Sequence, residues 1–100
     1  MPAEREILRT LQGVSDPEVG VNIVDLGLIY SIEIDGDRVS IVMTMTTPAC
    51  PMHSYLIQEV RETILGEFEE VAEVEVRLVW EPVWSPKMIS ERGRRQLGWQ

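Results

Sequence analysis

The sequence predicts an α+β fold: a two-layer sandwich of element order α-β-β-α-β-α, with helices packed on a small mixed three-stranded sheet. Three observations carry this. The apolar residues change period along the chain, from helical near the N-terminus to alternating over 28–46, back to helical after residue 53, and to alternating again from Val74. Asp35-Gly36-Asp37 divides the first alternating stretch and reads as a hairpin turn, so the two strands on either side pair antiparallel. The strand, helix and strand that follow imply a right-handed crossover, which sets the third strand parallel to the second and makes the sheet mixed. One hundred residues suit one domain, 1–100, with one core.

Each element has its own local reason. Residues 3–13 form an amphipathic helix with Ile7, Leu8, Leu11 and Val14 on one face and Glu4, Arg5, Glu6 and Arg9 on the other, stopped at Gly13. Ser15-Asp16-Pro17-Glu18 breaks the period and opens a loop through Gly20 to Asn22. Asp16 and Glu18 either shape that turn or contribute an acidic rim to a site. The first strand sets Leu28, Tyr30, Ile32 and Ile34 against Ile29, Ser31 and Glu33. The second, over 38–46, sets Val39, Ile41, Met43 and Met45 against Ser40, Val42, Thr44 and Thr46. A second helix starts close to Cys50, carries the stripe Leu56, Ile57, Val60 and Ile64, and fades around Gly66, where Phe68 closes over the core. The acidic run Glu67, Glu69, Glu70 and Glu73 is a solvated turn. Val74, Val76, Leu78 and Trp80 then point inward from the third strand. Pro82 and Pro86 stiffen the following link, and Ser85 with Pro86 predicts the start of a last helix over about 86–97 that Gly98 stops. Trp80 and Trp84 serve either as a docking surface or as packing on the sheet.

Composition narrows the function. Nine basic against seventeen acidic residues give a formal charge of -8, which opposes phosphate neutralisation and hence nucleic-acid binding. Arg92, Arg94 and Arg95 fall where cations complement a helix C-terminus rather than forming an RNA patch. No apolar run has membrane-spanning length, and nothing at the N-terminus resembles a signal peptide. A single cysteine rules out an intrachain disulfide and suits a reducing cytoplasm.

That cysteine lies in Thr46-Thr47-Pro48-Ala49-Cys50-Pro51-Met52-His53, which also holds the one histidine. Pro51 fits the first helical position, placing Cys50 at or beside the N-cap, where free N–H groups and the helix dipole favour a thiolate. A functional thiol competes here with a small buried hydrophobe. The hairpin brings the start of the first strand and the end of the second to one end of the sheet, so Asp25 is expected near the Thr46 to Cys50 loop. A carboxylate there could orient a metal ligand or accept a proton, and its charge would oppose the dipole's effect on the thiol.

Four segments in order, Asp16-Pro17-Glu18, Asn22 through Tyr30, Thr46 through Pro51, and Pro82 through Pro86, resemble the SufT and PaaD-like iron-sulfur assembly proteins, relatives of the eukaryotic cytosolic iron-sulfur targeting factors. The resemblance spans nearly the whole chain. It implies the iron-sulfur cluster assembly domain-like fold and a role in cluster assembly or delivery. Cys50 would match the family's reactive cysteine, with Asp25, Thr46 and Thr47 as its polar neighbours and the assembly machinery or an apo-client as partner. Most members lack a histidine at the position of His53, so no role for His53 carries over.

Ligand arithmetic shapes the cofactor expectation. A stable cluster commonly takes four protein ligands and this chain has one cysteine, so a cluster or iron is held transiently, with a client or a second copy in a homodimer completing the set. Cys50-x-x-His53 is half of a zinc-type site, and His53 also falls amid the apolar stripe of its helix. Two rival functions remain: a cysteine-dependent enzyme with His53 as base and Asp25 as its orienter, and a non-catalytic adaptor in maturation of a metal-containing oxygenase complex.

Overall fold

The computed structural model describes residues 3–17, 19–46 and 53–98, with His53 by its backbone alone. The order is α1 (Glu4–Leu11), β1 (Ile29–Asp35), β2 (Arg38–Met43), α2 (His53–Glu67), β3 (Glu73–Leu78), a short 3-10 turn (Pro86–Met88) and α3 (Glu91–Leu97). Strand order is β1-β2-β3, with β1 antiparallel and β3 parallel to β2, so the mixed sheet and the parallel third strand are as expected. No described helix is long and apolar enough to cross a membrane.

The helical and strand stripes meet in one core. Ile7 and Leu11 of α1, Leu56, Val60 and Ile64 of α2, Val39, Ile41 and Met43 of β2, and Val74 of β3 are all buried in it. Each such side chain contributes about 1.5–3 kcal/mol by leaving water. Phe68 packs over its edge, and Glu67, Glu69 and Glu70 are exposed, as a solvated turn requires. The opposite face of the sheet is polar: Ser31, Glu33, Glu75 and Arg77 stand exposed there and line a shallow groove of about 180 Å³ with Ser40 and Val42.

Local details depart from the periodic reading in four places. The ladder slips between Ile29 and Ser31, so Ile29 pairs with buried Met43 and packs on the core, while Ser31 pairs with Val42. A bulge reverses the side-chain alternation, which is why Ile29 does not share the face of Ser31 and Glu33. Trp80 lies past the end of β3 and is exposed rather than inward. Ser85 and Pro86 open only the 3-10 turn, because extended Ile89 interrupts the helix; α3 starts afresh with Ser90 as N-cap, its Oγ accepting from the Gly93 amide at 3.0 Å. Gly98 stops α3 at φ 78, as predicted.

The fourth departure is Gly13, which does not stop α1. The helix closes through Gln12 in right-handed geometry, and Gly13 has no positive φ. A methyl group there would meet only the Thr10 carbonyl at 3.4 Å. Gly13→Ala is therefore expected to stabilise the protein by roughly 0.4–1 kcal/mol through the unfolded chain, read as a raised urea midpoint at unchanged m. A lowered midpoint would show that the position needs glycine.

Candidate functional site

The loop that enters β1 is built around Asn22 and Asp25. The Asn22 side-chain oxygen accepts from the Asp25 amide at 2.9 Å, and its Nδ2 donates to Asp25 Oδ2 at 2.7 Å. One helical turn follows, in which the Leu28 amide donates to the Ile23 carbonyl and the Gly27 amide to the Val24 carbonyl, both at 3.0 Å. Gly27, at φ 79, ends that turn in the left-handed conformation typical of a helix stop. Residues that sequence reasoning grouped as one stretch thus form a closed, self-bonded loop.

Asp25 is 6% exposed, and its remaining donors come from the far end of the chain. Ser90 Oγ donates to Oδ1 at 2.8 Å, Arg92 Nε lies 3.6 Å from Oδ2, and the Ser90 amide donates to the Asp25 carbonyl at 2.7 Å. The same segment grips the next residues. Trp84 Nε1 donates to the Leu26 carbonyl at 2.7 Å, and Tyr30 of β1 donates its hydroxyl to the Pro82 carbonyl at 2.7 Å. Trp84 is thereby half-buried packing rather than free docking surface. These partners satisfy the hydrogen-bonding capacity of a carboxylate that burial cuts off from water.

The other expected site residues divide. Asp16 is buried and shapes the preceding turn, its carbonyl accepting from Gly20 at 2.8 Å and its amide donating to Val21 at 3.0 Å, so its turn-forming reading is realised. Thr46 is half-buried at the end of the described part of that loop. Glu18, Thr47, Cys50 and the side chain of His53 lie outside the described residues. At the same end of the sheet, the Thr44 amide donates to the Leu28 carbonyl at 2.9 Å, joining the end of β2 to the Asp25 loop. Thr44 Oγ1 is buried and, among the described residues, is the side-chain polar atom left without a partner. No group of three or more His, Cys, Asp or Glu side chains is placed to hold a metal among the described residues.

Sequence reasoning missed Asn22, Ser90 and Arg92 as partners of Asp25. Asn22 had a local signal, an Asx residue three before another in a turn. Ser90 and Arg92 had none, because their partner is more than sixty positions away. Asp25→Asn removes the charge that faces Arg92 while keeping the shape. It is expected to cost about 1–2 kcal/mol, since a buried hydrogen bond to a charged group is worth more than a neutral one. Chemical denaturation checks this, and a loss under about 0.3 kcal/mol would mean that the carboxylate's charge contributes nothing to the fold.

The fold is that of a small α+β two-layer protein in which the loop carrying a buried carboxylate is bonded to the end of β2. More particularly, the chain belongs to the iron-sulfur cluster assembly protein family, which matches residues 4–76. It is 39% identical over 98% of its length to an Fe-S protein maturation auxiliary factor from Porphyromonas gingivalis, covering 93% of that protein. To the Fe-S protein maturation auxiliary factor SufT from Staphylococcus aureus it is 42% identical, over 85% of this chain and 97% of that one. The crystal structure of a domain of unknown function from Bacillus anthracis superposes with a TM-score of 0.92 at 38% identity, over 97% of this chain and 92% of that one.

Proposed function

We propose that this protein assembles or delivers iron-sulfur clusters, taking iron or a cluster as cargo through Cys50 and passing it to an apo-client, rather than transforming a substrate. The observation that carries the reading is family membership over residues 4–76, together with relatives at about 40% identity named as Fe-S protein maturation auxiliary factors. The bond from Thr44 to Leu28 supports Asp25 as the carboxylate nearest the cysteine loop, because it ties the Asp25 loop to the strand from which the chain runs on to Cys50. Thr46 and Thr47 would supply hydroxyls beside the thiol, with Glu18 at the rim.

Partner chemistry follows from ligand number. One cysteine supplies one thiolate where a cluster commonly takes four, so a client, assembly machinery or a second copy must complete the set. His53 is at most an auxiliary ligand. A free thiol in this role belongs in a reducing compartment such as the cytoplasm. Asp25 already holds donors from Asn22, Ser90 and Arg92, which favours a carrier over a Cys-His-Asp enzyme in which that carboxylate would have to orient His53. Anaerobic reconstitution with iron and sulfide tests the reading. Cluster absorbance on a species larger than one chain, discharged by an apo-ferredoxin, is expected. Failure to take up iron under any thiol condition would overturn it.

A further inference from the structure

We propose that the outer edge of β3 docks an extended segment of a partner protein, which adds a fourth strand to the sheet and carries an acidic and a basic side chain on either side of an apolar one. Naming that partner a client or a part of the assembly machinery rests on the functional reading above; the edge and its chemistry stand without it. Strand order leaves one side of β3 unpaired. The Glu73 amide donates to the Asp37 carbonyl and the Val79 amide to the Met43 carbonyl, so the ladder to β2 keeps the same offset from one end of the strand to the other. Alternate residues of a parallel strand bond to one neighbour, so Glu75 and Arg77 turn their backbone to β2, and Val74, Val76 and Leu78 turn their N–H and C=O groups outward. No described residue bonds to those outward groups. The chain also leaves β3 away from this side, because the Pro82 carbonyl accepts from Tyr30 of β1 and Trp84 donates to Leu26. The sheet's other edge, β1, is broken by the bulge between Ile29 and Ser31, whereas β3 has neither bulge nor proline. A bulge, a proline or charge is what ordinarily closes an edge. Here only charge is present, and it has both signs.

The helical layer decides what can occupy the edge. Among the described elements α2 packs on β3 and α1 but not on β2, so it lies over the edge strand. Two copies paired antiparallel along β3 would keep both helical layers on one face, with the two β3 strands about 4.8 Å apart. Their α2 helices would be driven well inside the roughly 8–10 Å that packed helices need. Parallel pairing would turn one sheet over and set the polar face of one copy beside the helical layer of the other. An extended segment with no helix above it meets neither obstacle. Its side chains are set by those of β3. Glu75 and Arg77 are exposed on the open face, and neither is ion-paired among the described residues. Val76 and Leu78 are half-buried on the core face. In the stabler antiparallel ladder the segment therefore reads apolar-acidic-apolar-basic-apolar, with its acid opposite Arg77, its central apolar residue opposite Val76 and its base opposite Glu75.

The probe is the capped peptide Ser-Val-Glu-Val-Lys-Val-Ser, added to the full chain without iron or sulfide and followed by amide hydrogen exchange. In the free protein the outward amides of Val76 and Leu78 are expected to exchange about tenfold faster than those of Glu75 and Arg77, which bond to β2. At about 1 mM peptide the amides of Val74, Val76 and Leu78 should slow by about threefold or more, with those along β1 unchanged. Arg77→Glu should lose this protection and regain it with a peptide carrying Lys at both charged positions. Glu75→Lys should lose it and regain it with Glu at both. Both positions are exposed, and thermal unfolding of the two variants confirms that the fold is kept. Slow exchange of Val76 and Leu78 in the free protein, absence of protection at that peptide concentration, or protection indifferent to the charge at 75 and 77 would each overturn the proposal. Protection that rises with protein concentration in the absence of peptide would give the edge to a second copy and overturn it equally. None of these results bears on the cluster reading, which anaerobic reconstitution decides separately.

Discussion

Cys50→Ser is expected to abolish cluster transfer to an apo-ferredoxin, to the rate seen without protein, while the chain keeps its fold. A serine hydroxyl is close in size to a thiol but is not ionised at neutral pH and is a poor ligand for iron in a sulfide environment. The cost to stability should stay within about 0.5 kcal/mol if the residue serves function rather than packing. His53→Ala should reduce transfer far less, because a single imidazole adds one ligand of a borderline kind to a cargo that prefers thiolates. The measurement pairs transfer kinetics with thermal unfolding of the same preparations. Undiminished transfer by Cys50→Ser would defeat the thiol mechanism; loss of transfer together with several kcal/mol of stability would make Cys50 a core residue instead.

What could be read from the sequence was whatever depends on neighbours within a few positions. The stripe Leu56, Val60 and Ile64 and the alternation Val39, Ile41, Met43 and Met45 are buried as their periods predict, and the Gly36 turn, at φ 61, closes the hairpin. Strand order was not readable, since a parallel third strand can add on either side until packing decides. The bulge at Ile29 was not readable either, because the pattern 28–34 alternates well enough without it. Ser85-Pro86 is a stronger local helix start than Ser90, yet Ser90 wins because only there can a serine both cap α3 and reach Asp25. The Asp25 carboxylate was legible as a polar residue at the entrance to β1; its partners Ser90 and Arg92 were not, because they depend on residues 84–92 folding back over that entrance.

Gly27→Ala is expected to be the most costly single-methyl change in the described part of the chain. Two penalties act at once. At φ 79 an L-residue pays roughly 1–2 kcal/mol for the left-handed conformation. The added Cβ would also stand 2.8 Å from Met88 Cβ and closer still to the Met88 carbonyl oxygen, which is backbone and cannot swing aside. Overpacking of this kind costs a further 1–3 kcal/mol or so, for a total of roughly 2–5. Gly20 supplies the control, because it has φ 84 with nothing within 4 Å of its would-be Cβ, so Gly20→Ala pays the conformational penalty alone. The difference between the two in urea unfolding at equal m measures how firmly the Met88 backbone is pressed onto the loop. A Gly27→Ala cost no larger than that of Gly20→Ala would mean that residues 84–98 yield freely, and that the close approach to Gly27 contributes nothing to holding Asp25 in place.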